Sequence, residues 1–227
     1  MCGRFVQAIT ADELSESLSS LGYALLLEAN EQLWLPSYNV TPSQSALVLT
    51  HSAHGLTAQS MNWGFPPFTP KGQTRAISPI NARGDRLLTS PMFSSALGAR
   101  RCVVPVNGYY EWKTSGSKKQ PYYLTRPSEL LFLAGLYTPA KGTEVKPRFA
   151  IVTTNAHHDI AFIHDREPVV LDGDTAPMWI EGTKDMVTTR LNQILAPALL
   201  DFHEVSTAVN SPAHNDPSLI EPISLFG

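Results

Sequence analysis

The chain has 227 residues, of which 43% are hydrophobic and 16% charged, which suits one folded domain over residues 1–227 with a real core rather than two domains. No apolar run is long enough to span a membrane, and no early segment has the basic start and apolar run of a signal peptide, so we expect neither. The two cysteines, Cys2 and Cys102, exclude a disulfide framework and indicate free thiols in a reducing compartment.

The net charge of −3 conceals an uneven distribution of charge along the chain. Residues 71–148 hold 13 of the 17 Lys and Arg residues but only 4 of the 20 Asp and Glu residues. A basic middle segment can form a phosphate-binding surface. Alternatively the charges alternate around the fold and cancel in space, and the sequence leaves both interpretations open.

The predicted elements of the first half begin with a strand over residues 3–8. Thr10 and Glu13 form a capping box that opens a helix ending near Gly22, with leucines at 14, 18 and 21 on one face. Residues 23–27 suit either a strand or an extension of the helix. Two prolines hold residues 36–44 extended. Residues 46–50 and 56–63 then predict a strand pair joined by a turn at 51–55.

The second half predicts a short helix and a further series of strands. Asn107-Gly108 is typical of a hairpin turn, and residues 116–119 form a basic turn. Strands are expected at 101–105, 109–112, 121–125, 130–137, 149–154, 169–171 and 205–209, and helices at 90–97, 174–180 and 184–195. Many short strands with proline turns favour an α+β fold of mostly antiparallel strands in a barrel-like arrangement with a few flanking helices.

The first four residues, Met1-Cys2-Gly3-Arg4, carry distinctive chemistry. Trimming of Met1 would leave Cys2 with a free α-amine, with a pKa of roughly 7.7–8.0, beside a thiol with a pKa of about 8.5. The amine can attack an aldehyde to give a Schiff base, and the thiol can then close a five-membered thiazolidine on the imine carbon. The alternative is that Cys2 is a small buried residue of the first strand.

Two further stretches hold aromatic or acidic candidates. Trp63-Gly64-Phe65-Pro66-Pro67 is a rigid loop whose rings either pack in the core or form an exposed wedge that stacks on bases. Glu111 is flanked by Tyr109, Tyr110 and Trp112. It is either a surface carboxylate or a partly desolvated acid with a raised pKa, suited to proton transfer.

The histidines of the last third allow two interpretations. His157, His158 and His164 could surround a metal with Asp159 or Asp165, but no cysteine lies near them and the spacing matches no common zinc pattern. We therefore expect no metal and no other cofactor. His164 is either a structural histidine or an acid/base group that works near neutral pH.

Taken in order, a series of short segments resembles the SRAP (SOS response-associated peptidase) family, whose members crosslink to abasic sites in single-stranded DNA. The resemblance covers nearly the whole chain. The segments are Met1-Cys2-Gly3-Arg4, Pro36-Ser37-Tyr38-Asn39, Trp63-Gly64-Phe65, Asn81-Ala82-Arg83, Gly108-Tyr109-Tyr110-Glu111-Trp112, Ala134-Gly135-Leu136, Val152-Thr153-Thr154-Asn155-Ala156, Ile163-His164-Asp165-Arg166 and Val209-Asn210-Ser211-Pro212.

The resemblance implies a role for each matching position. Cys2 would be the nucleophile, Asn81 would orient its amine or the sugar, and Glu111 would shuttle protons. His164 would act as acid/base in opening the sugar ring. The implied DNA-binding residues are Arg4, Asn39, Trp63, Phe65, Arg83, Thr154 and Arg166, with the arginines on phosphates and the aromatic rings against bases.

The resemblance also implies the partner and the setting. We expect a monomer that acts on single-stranded DNA with abasic sites at replication forks, away from membranes, in the cytoplasm and on the nucleoid if the source is bacterial. Two positions depart from the family pattern: Gly84-Asp85 replaces Ser-Glu, and Glu167 replaces Met. We expect the carboxylate of Glu167 to weaken the phosphate contact of Arg166.

Three functions remain open at this point. The first is a crosslinking enzyme for abasic DNA, with self-removal of Met1 and lyase-like activity. The second is a cysteine peptidase or amidohydrolase with an N-terminal nucleophile. The third is a binding module for single strands in which Cys2 is only structural.

Overall fold

The computed structural model describes residues 2–26, 35–52, 55–69, 71–72, 74–142 and 146–223. The strands are β1 Arg4–Gln7, β2 Leu25–Leu26, β3 Ser37–Val40, β4 Ser45–Ser52, β5 Gly55–Trp63, β6 Asn81–Arg83, β7 Arg101–Val106, β8 Gly108–Ser115, β9 Lys118–Thr125, β10 Leu131–Thr138, β11 Arg148–Asn155, β12 Arg166–Pro168, β13 Val170–Leu171 and β14 Asp201–Glu204. The α-helices are α1 Ala11–Ser20, α2 Ser94–Ala99, α3 Thr175–Glu181, α4 Lys184–Thr189 and α5 Leu191–Ile194, and 3-10 turns cover Gly84–Arg86, Thr207–Asn210 and Pro217–Ile220.

The strands form two sheets. The first has the order β14-β9-β8-β1-β3, and the second has the order β12-β11-β10-β7-β4-β5-β2, with β13 on β10 and β6 on β11. The second sheet curls into a ring because β5 also pairs with β11. Most pairs are antiparallel, and the parallel ones are β2–β5, β5–β11 and β6–β11. The predicted α+β fold of mostly antiparallel strands in a barrel-like arrangement is confirmed.

The core has three layers. Between the two sheets, Phe5, Tyr109 and Leu124 of the first sheet pack against residues such as Leu133 and Phe149 of the second. The helices cover the other face of the second sheet, and a smaller cluster lies on the outer face of the first. Each sheet is therefore apolar on both faces, which is why its strands carry long apolar runs.

The start of helix α1 agrees with its sequence pattern. Thr10 N donates to Glu13 Oε2 at 2.7 Å, and Glu13 N donates to the Thr10 hydroxyl at 3.2 Å. This reciprocal pair satisfies N–H groups that the first turn leaves without partners. The helix buries Leu14 and Leu18, and Gly22 follows with a φ of +80°.

The predicted hairpin at Asn107-Gly108 is wrong. Strand β7 belongs to the second sheet and β8 to the first, so these two residues carry the chain from one sheet to the other. Asn107 Oδ1 accepts from Ala8 N at 2.7 Å, and its carbonyl oxygen accepts from the Thr125 hydroxyl at 2.7 Å. The hairpin is β8–β9, which turns at Gly116 within the predicted basic turn.

The C-terminal third differs from the prediction in other details. The expected strand over 205–209 is wrong because the strand lies earlier, at β14, and a 3-10 turn covers Thr207–Asn210. The helix predicted over 184–195 breaks at Arg190 into α4 and α5. In the ambiguous segment 23–27, β2 forms at 25–26, and Leu27 lies outside the described residues. None of the helices in the described part of the chain is long and apolar enough to cross a membrane.

We predict that Gly108→Ala lowers the free energy of unfolding by roughly 3 kcal/mol, the upper range for overpacking a core. A Cβ at this position would lie 2.5 Å from the Leu124 carbonyl oxygen and 2.5 Å from Tyr123 Cζ, so a strand or a buried ring must move. The control is Gly173→Ala, where an added Cβ meets nothing within 4 Å. Urea unfolding of the two variants measures the difference, and equal midpoints would contradict this packing.

Candidate active site

The side chain of Cys2 is fully buried just before strand β1. Its Sγ lies 3.9 Å from the carbonyl oxygen of Arg4. Asn81, on β6, donates from Nδ2 to the Cys2 carbonyl at 2.8 Å, which joins the start of the chain to the second sheet. Asn81 Oδ1 is buried and accepts no hydrogen bond within the described residues, so it is available to an N–H donor.

Glu111 supplies a carboxylate next to this thiol. It lies on β8 opposite Tyr122 of β9 and is only 5% exposed. Its Oε1 accepts from Trp112 N at 3.2 Å. Sequence analysis left open whether this carboxylate is on the surface, and the structure places it in the interior.

Burial and charge together make the Cys2 thiol a weak acid. Loss of solvation raises its pKa well above the ordinary value, and the negative charge of Glu111 raises it further. The thiol therefore stays protonated at neutral pH in this structure. To act as a nucleophile it must lose its proton as it reacts, and Glu111 is the nearby carboxylate that can accept it.

His164 lies in the loop between β11 and β12, with about a third of its side chain exposed. Its Nδ1 is 3.0 Å from Arg166 N and 2.8 Å from Asp165 Oδ1. When Nδ1 accepts from the backbone N–H, Nε2 carries the ring proton; when the ring is protonated, Nδ1–H can donate to Asp165 instead. Both protonation states thus have a partner, which suits an acid/base role.

A cleft of about 390 Å³ opens beside these groups. It is lined by Arg4, Glu111, Trp112, Thr114, Lys119, His164 and Asn210. The structure thus brings the predicted residues Glu111, His164 and Arg4 to one cleft. Cys2 interacts electrostatically with Glu111, and Asn81 is hydrogen-bonded to the Cys2 carbonyl.

Arg4 joins strand β1 to the C-terminal 3-10 turn. Its Nη1 donates to Asn39 Oδ1 at 2.9 Å and to the Val209 carbonyl, and its Nη2 donates to the Asn210 carbonyl at 3.0 Å. The guanidinium also lies 6.0 Å from the Trp112 ring. A guanidinium has five N–H donors, so Arg4 can hold these carbonyls and still offer a donor to the cleft.

Asn39 uses its side chain inside the protein, and its contact with DNA stays a prediction. The residue is 2% exposed. Its Nδ2 donates to the carbonyls of Val209, Ser211 and His214, the last at 2.8 Å. Its amide therefore holds the C-terminal segment against β3, since a buried amide must find its partners within the protein.

The rings of Trp63 and Phe65 pack in the core, the first of the two alternatives that the sequence left open, and their contact with bases stays a prediction. They are 0% and 4% exposed. The Trp63 ring lies 4.8 Å from Phe5 and 6.3 Å from Phe149, and Phe65 lies 5.0 Å from Phe93. Trp63 lies in the layer between the sheets and Phe65 in the layer under the helices, where large aromatic rings contribute most to stability.

Arg166 and Thr154 use their polar groups inside the protein. Arg166 is 6% exposed, and its Nη2 donates to the Thr153 carbonyl at 2.6 Å while its Nη1 donates to Asn155 Oδ1 at 3.3 Å. Burial lowers the pKa of its guanidinium. The Thr154 hydroxyl donates to the Leu195 carbonyl at 2.6 Å. Arg166 therefore supports the start of β12 next to the His164 loop in this structure, and its contact with phosphate stays a prediction.

Arg83 is the predicted phosphate ligand that remains exposed. Its Nε and Nη2 donate to the two carboxylate oxygens of Asp85, at 3.1 and 2.8 Å, and the two side chains are 45% and 52% exposed. This paired geometry lowers the pKa of Asp85. Asp85, one of the departures from the family pattern, thus occupies the two guanidinium N–H groups with which Arg83 would bind a phosphate.

Sequence reasoning missed four residues of the cleft: Trp112, Thr114, Lys119 and Asn210. Trp112 Nε1 donates to Asn210 Oδ1 at 2.7 Å. Lys119 is opposite Thr114 in the β8–β9 hairpin. The basic turn was a signal for Lys119, and the aromatic neighbour of Glu111 was a signal for Trp112. The pairing of Trp112 with Asn210, nearly a hundred residues away, had no local signal.

Some cations of the basic middle segment hold the fold together. Arg101 donates from Nε to the Trp179 carbonyl at 2.5 Å and from Nη1 to the Leu97 carbonyl at 2.7 Å. Lys146 donates to Ser45 and Ser60. These cations hold helices and strands together on different parts of the fold.

A cluster of His157, His158 and Asp159 presents ligand atoms that all lie within 4.8 Å of one another. His158 and Asp159 are exposed, and His158 Nε2 is 3.0 Å from Asp159 Oδ1. Such a group could approach one transition-metal ion. His164, which the sequence also placed near it, is not a member and pairs with Asp165 instead.

Glu167 does not oppose Arg166 as we expected, because consecutive residues of a strand point to opposite faces. Its side chain is fully buried, and it accepts from His157 N at 2.9 Å and from Ala198 N at 2.6 Å. It therefore ties the His164 loop to the segment before β14. Burial raises the pKa of its carboxyl, and the two backbone N–H groups offset only part of that rise.

This raised pKa predicts a pH dependence of stability. The folded state favours the protonated carboxyl, so wild type loses stability relative to Glu167→Gln as the pH rises from the ordinary glutamate range through the raised pKa. Urea unfolding from pH 4 to 8 should show the wild-type free energy falling relative to the variant. The control Glu16→Gln, an exposed site on α1, should change this slope little. If the difference in free energy of unfolding between wild type and Glu167→Gln stays constant with pH, the raised pKa of Glu167 is contradicted.

Comparison with solved structures shows that the fold recurs. A crystal structure of a Bacteroides thetaiotaomicron protein superposes with a TM-score of 0.77 at 24% identity, covering 97% of this chain and 99% of that one. A phage-related protein from Bordetella bronchiseptica superposes with a TM-score of 0.70 at 26% identity, covering 90% and 94%.

Sequence comparison gives the family. Abasic site processing protein YoqW of Bacillus subtilis is 33% identical, covering 97% of this chain and 99% of its own. Abasic site processing protein HMCES of Gallus gallus is 30% identical, covering 99% of this chain and 79% of its own. The family model "SOS response associated peptidase (SRAP)" matches residues 1–212. The chain belongs to the SRAP family.

Proposed function

We propose that this chain processes abasic sites in single-stranded DNA by forming a covalent crosslink through Cys2. The observation that carries the proposal is the position of the buried Cys2 against Glu111 and Asn81, at the side of a cleft that His164 lines. Its similarity over nearly its full length to proteins named for abasic site processing supports the same substrate.

The first step is removal of Met1, which frees the α-amine of Cys2. We propose that the chain can carry out this hydrolysis itself, with the Cys2 thiol as nucleophile and Glu111 as proton acceptor. The free amine has an ordinary pKa of roughly 7.7–8.0. It is therefore the stronger nucleophile at neutral pH, because burial and the charge of Glu111 keep the thiol protonated.

The second step joins the amine to the sugar. His164 opens the sugar ring by proton transfer and exposes the aldehyde at C1′. The nitrogen attacks this carbon, water leaves, and an imine forms. Asn81 Oδ1, which is available as an acceptor, orients the amine for this attack.

The third step closes the ring. The Cys2 sulfur adds to the imine carbon, Glu111 takes the thiol proton, and the nitrogen is protonated in return. The net change is loss of one water. Two bonds to C1′ must break for reversal, so the product shields the strand from scission at the abasic site.

The setting of this activity follows from its substrate. We propose that residues 1–227 form one domain that works as a monomer on the single strands of replication forks, in the compartment that holds the DNA. Arg83, Arg4 and Lys119 are the cations we assign to phosphates beside the lesion, since each is exposed or lines the cleft.

Intact mass spectrometry of Met1-free protein mixed with abasic single-stranded DNA tests the chemistry. We expect a gain equal to the oligonucleotide less one water. Cys2→Ala should give no stable adduct, but borohydride should trap its imine, because the α-amine remains. Glu111→Gln should slow adduct formation by about a hundredfold or more.

Cys102→Ala is the matched control, since Cys102 is the other buried free thiol and its removal should leave the adduct intact. Absence of any wild-type adduct, or a stable adduct that survives in Cys2→Ala without borohydride, would refute the crosslinking mechanism.

Asp85→Asn should tighten binding of single-stranded DNA by up to about fivefold, because an exposed ion pair contributes at most about 1 kcal/mol. The variant frees the guanidinium of Arg83 to bind a phosphate, so the affinity for single-stranded DNA should also fall more steeply as the salt concentration rises. Fluorescence anisotropy at several salt concentrations measures both effects. Asp12→Asn changes the charge equally at an exposed site on α1. An equal gain in that control would mean that general charge, not Arg83, is responsible.

A further inference from the structure

An exposed aromatic pair lies beside the cleft and has no part in the chemistry described above. Phe162, in the loop before His164, and Phe202, on β14, have ring centroids 5.4 Å apart at an interplanar angle of 61°. Both rings contact Tyr122, at 5.8 and 6.3 Å. Their side chains are 46% and 37% exposed, although rings of this size are usually buried. Exposed apolar groups that cluster in this way mark interaction surfaces.

Lysines flank one side of this pair. Lys113 Nζ lies 4.9 Å from the centroid of the Phe162 ring. Lys113, Lys118 and Lys119 all belong to the β8–β9 hairpin, whose strands and turn carry no acidic residue beyond Glu111. By strand alternation Lys118, opposite Ser115, shares the face of Lys113, whereas Lys119, opposite Thr114, lies on the other face. Lys113 and Lys118 therefore give the face of the hairpin that carries the Phe162 contact a positive charge.

Carboxylates lie on the strand that carries Phe202. Asp201 and Glu204 are on β14 with Phe202, and Glu204 Oε1 accepts from the Tyr122 hydroxyl at 2.6 Å. By strand alternation Glu204 shares the face of Phe202, whereas Asp201 lies on the other face. Lys113 is the cation in contact with the Phe162 ring. A strand of DNA that follows the cations would pass over Phe162.

The aromatic pair neighbours residues that line the cleft. Phe162 precedes His164 by two residues, and Lys113 follows Glu111 by two residues on the same face of β8. Tyr122, which supports both rings, is directly opposite Glu111 in the sheet. Lys119, from the same hairpin, lines the cleft itself.

We infer that Phe162, supported by Phe202 and Lys113, is a stacking subsite for a base that flanks the abasic site. This inference rests on the proposed function and names where the neighbouring nucleotide is held. The base lies on the Phe162 ring, and its phosphate lies over the lysines of the β8–β9 hairpin. Aromatic rings interleaved with cations are the usual means of holding single strands without reading their sequence.

Lys113 does not block this subsite. A cation–π contact at an exposed site is weaker than stacking of a base on an aromatic ring. The ammonium group can therefore exchange the ring for the phosphate when the base arrives. A purely apolar protein partner fits less well, because the exposed apolar area is small and a lysine lies across it.

The first test is non-covalent binding of a lesion-free single strand by fluorescence anisotropy. Phe162→Ala should weaken binding by roughly fivefold or more, the range of one base–aromatic stack. Phe162→Trp should keep the affinity, whereas Phe162→Leu, which retains apolar volume without an aromatic face, should lose most of it. Met186→Ala removes an equally exposed apolar side chain on α4 and should have no effect.

The second test combines the Phe162→Ala variant with changes to single bases of the DNA. Single bases next to the lesion are replaced one at a time by a stable tetrahydrofuran spacer, and wild type is compared with Phe162→Ala on each strand. At one position the penalty of Phe162→Ala should vanish, because the ring there has no base left to stack on. A penalty that persists at every position would overturn the stacking subsite.

The outcomes separate this inference from the crosslinking mechanism. Equal affinities of wild type and Phe162→Ala, with a normal Cys2-dependent adduct, overturn the subsite and leave the mechanism in place. Weaker binding by Phe162→Ala together with no wild-type adduct supports the subsite while the mechanism fails. At saturating DNA, Phe162→Ala should reach the full adduct yield, since the ring contacts none of the reacting atoms.

Discussion

The electrostatic interaction between a buried thiol and a buried carboxylate is the constraint on which the site depends. Cys2 and Glu111 belong to neighbouring strand regions of the first sheet, and each is removed from solvent. Burial raises the pKa of the Cys2 thiol, and the negative charge of Glu111 raises it further, so the thiol stays protonated at neutral pH. The proposed order of steps, amine first and thiol second, follows from this single electrostatic fact.

The rest of the fold holds the first residues of the chain in that place. A chain terminus is ordinarily poorly ordered unless it is tied down. Here strand β1 lies between β8 and β3, Arg4 bonds the C-terminal 3-10 turn, and Asn81 bonds the Cys2 backbone. The two sheets and the last third of the chain therefore meet at residue 2, which explains why the matching motifs are spread over nearly the whole sequence.

Residue type alone did not separate the exposed groups beside the cleft from the groups that hold the fold. Trp63, Phe65 and Asn39 have side chains that can stack on or bond to nucleotides, yet all three are buried. Phe162 and Phe202 have ordinary local sequences and lie exposed beside the cleft. Exposure depends on which strands become neighbours, and that information lies in contacts between residues far apart in sequence.

The sequence by itself determined the α+β class, the capped helix α1, most strands, and the chemistry available to a cysteine after Met1. These depend on local patterns: alternation, capping residues, and the bond between an amine and a thiol on one residue. Only the tertiary structure decided that Asn107-Gly108 crosses between sheets, that Glu167 faces away from Arg166, and that Trp112 meets Asn210. Such features arise from pairing and packing across the fold, for which short-range patterns carry no signal.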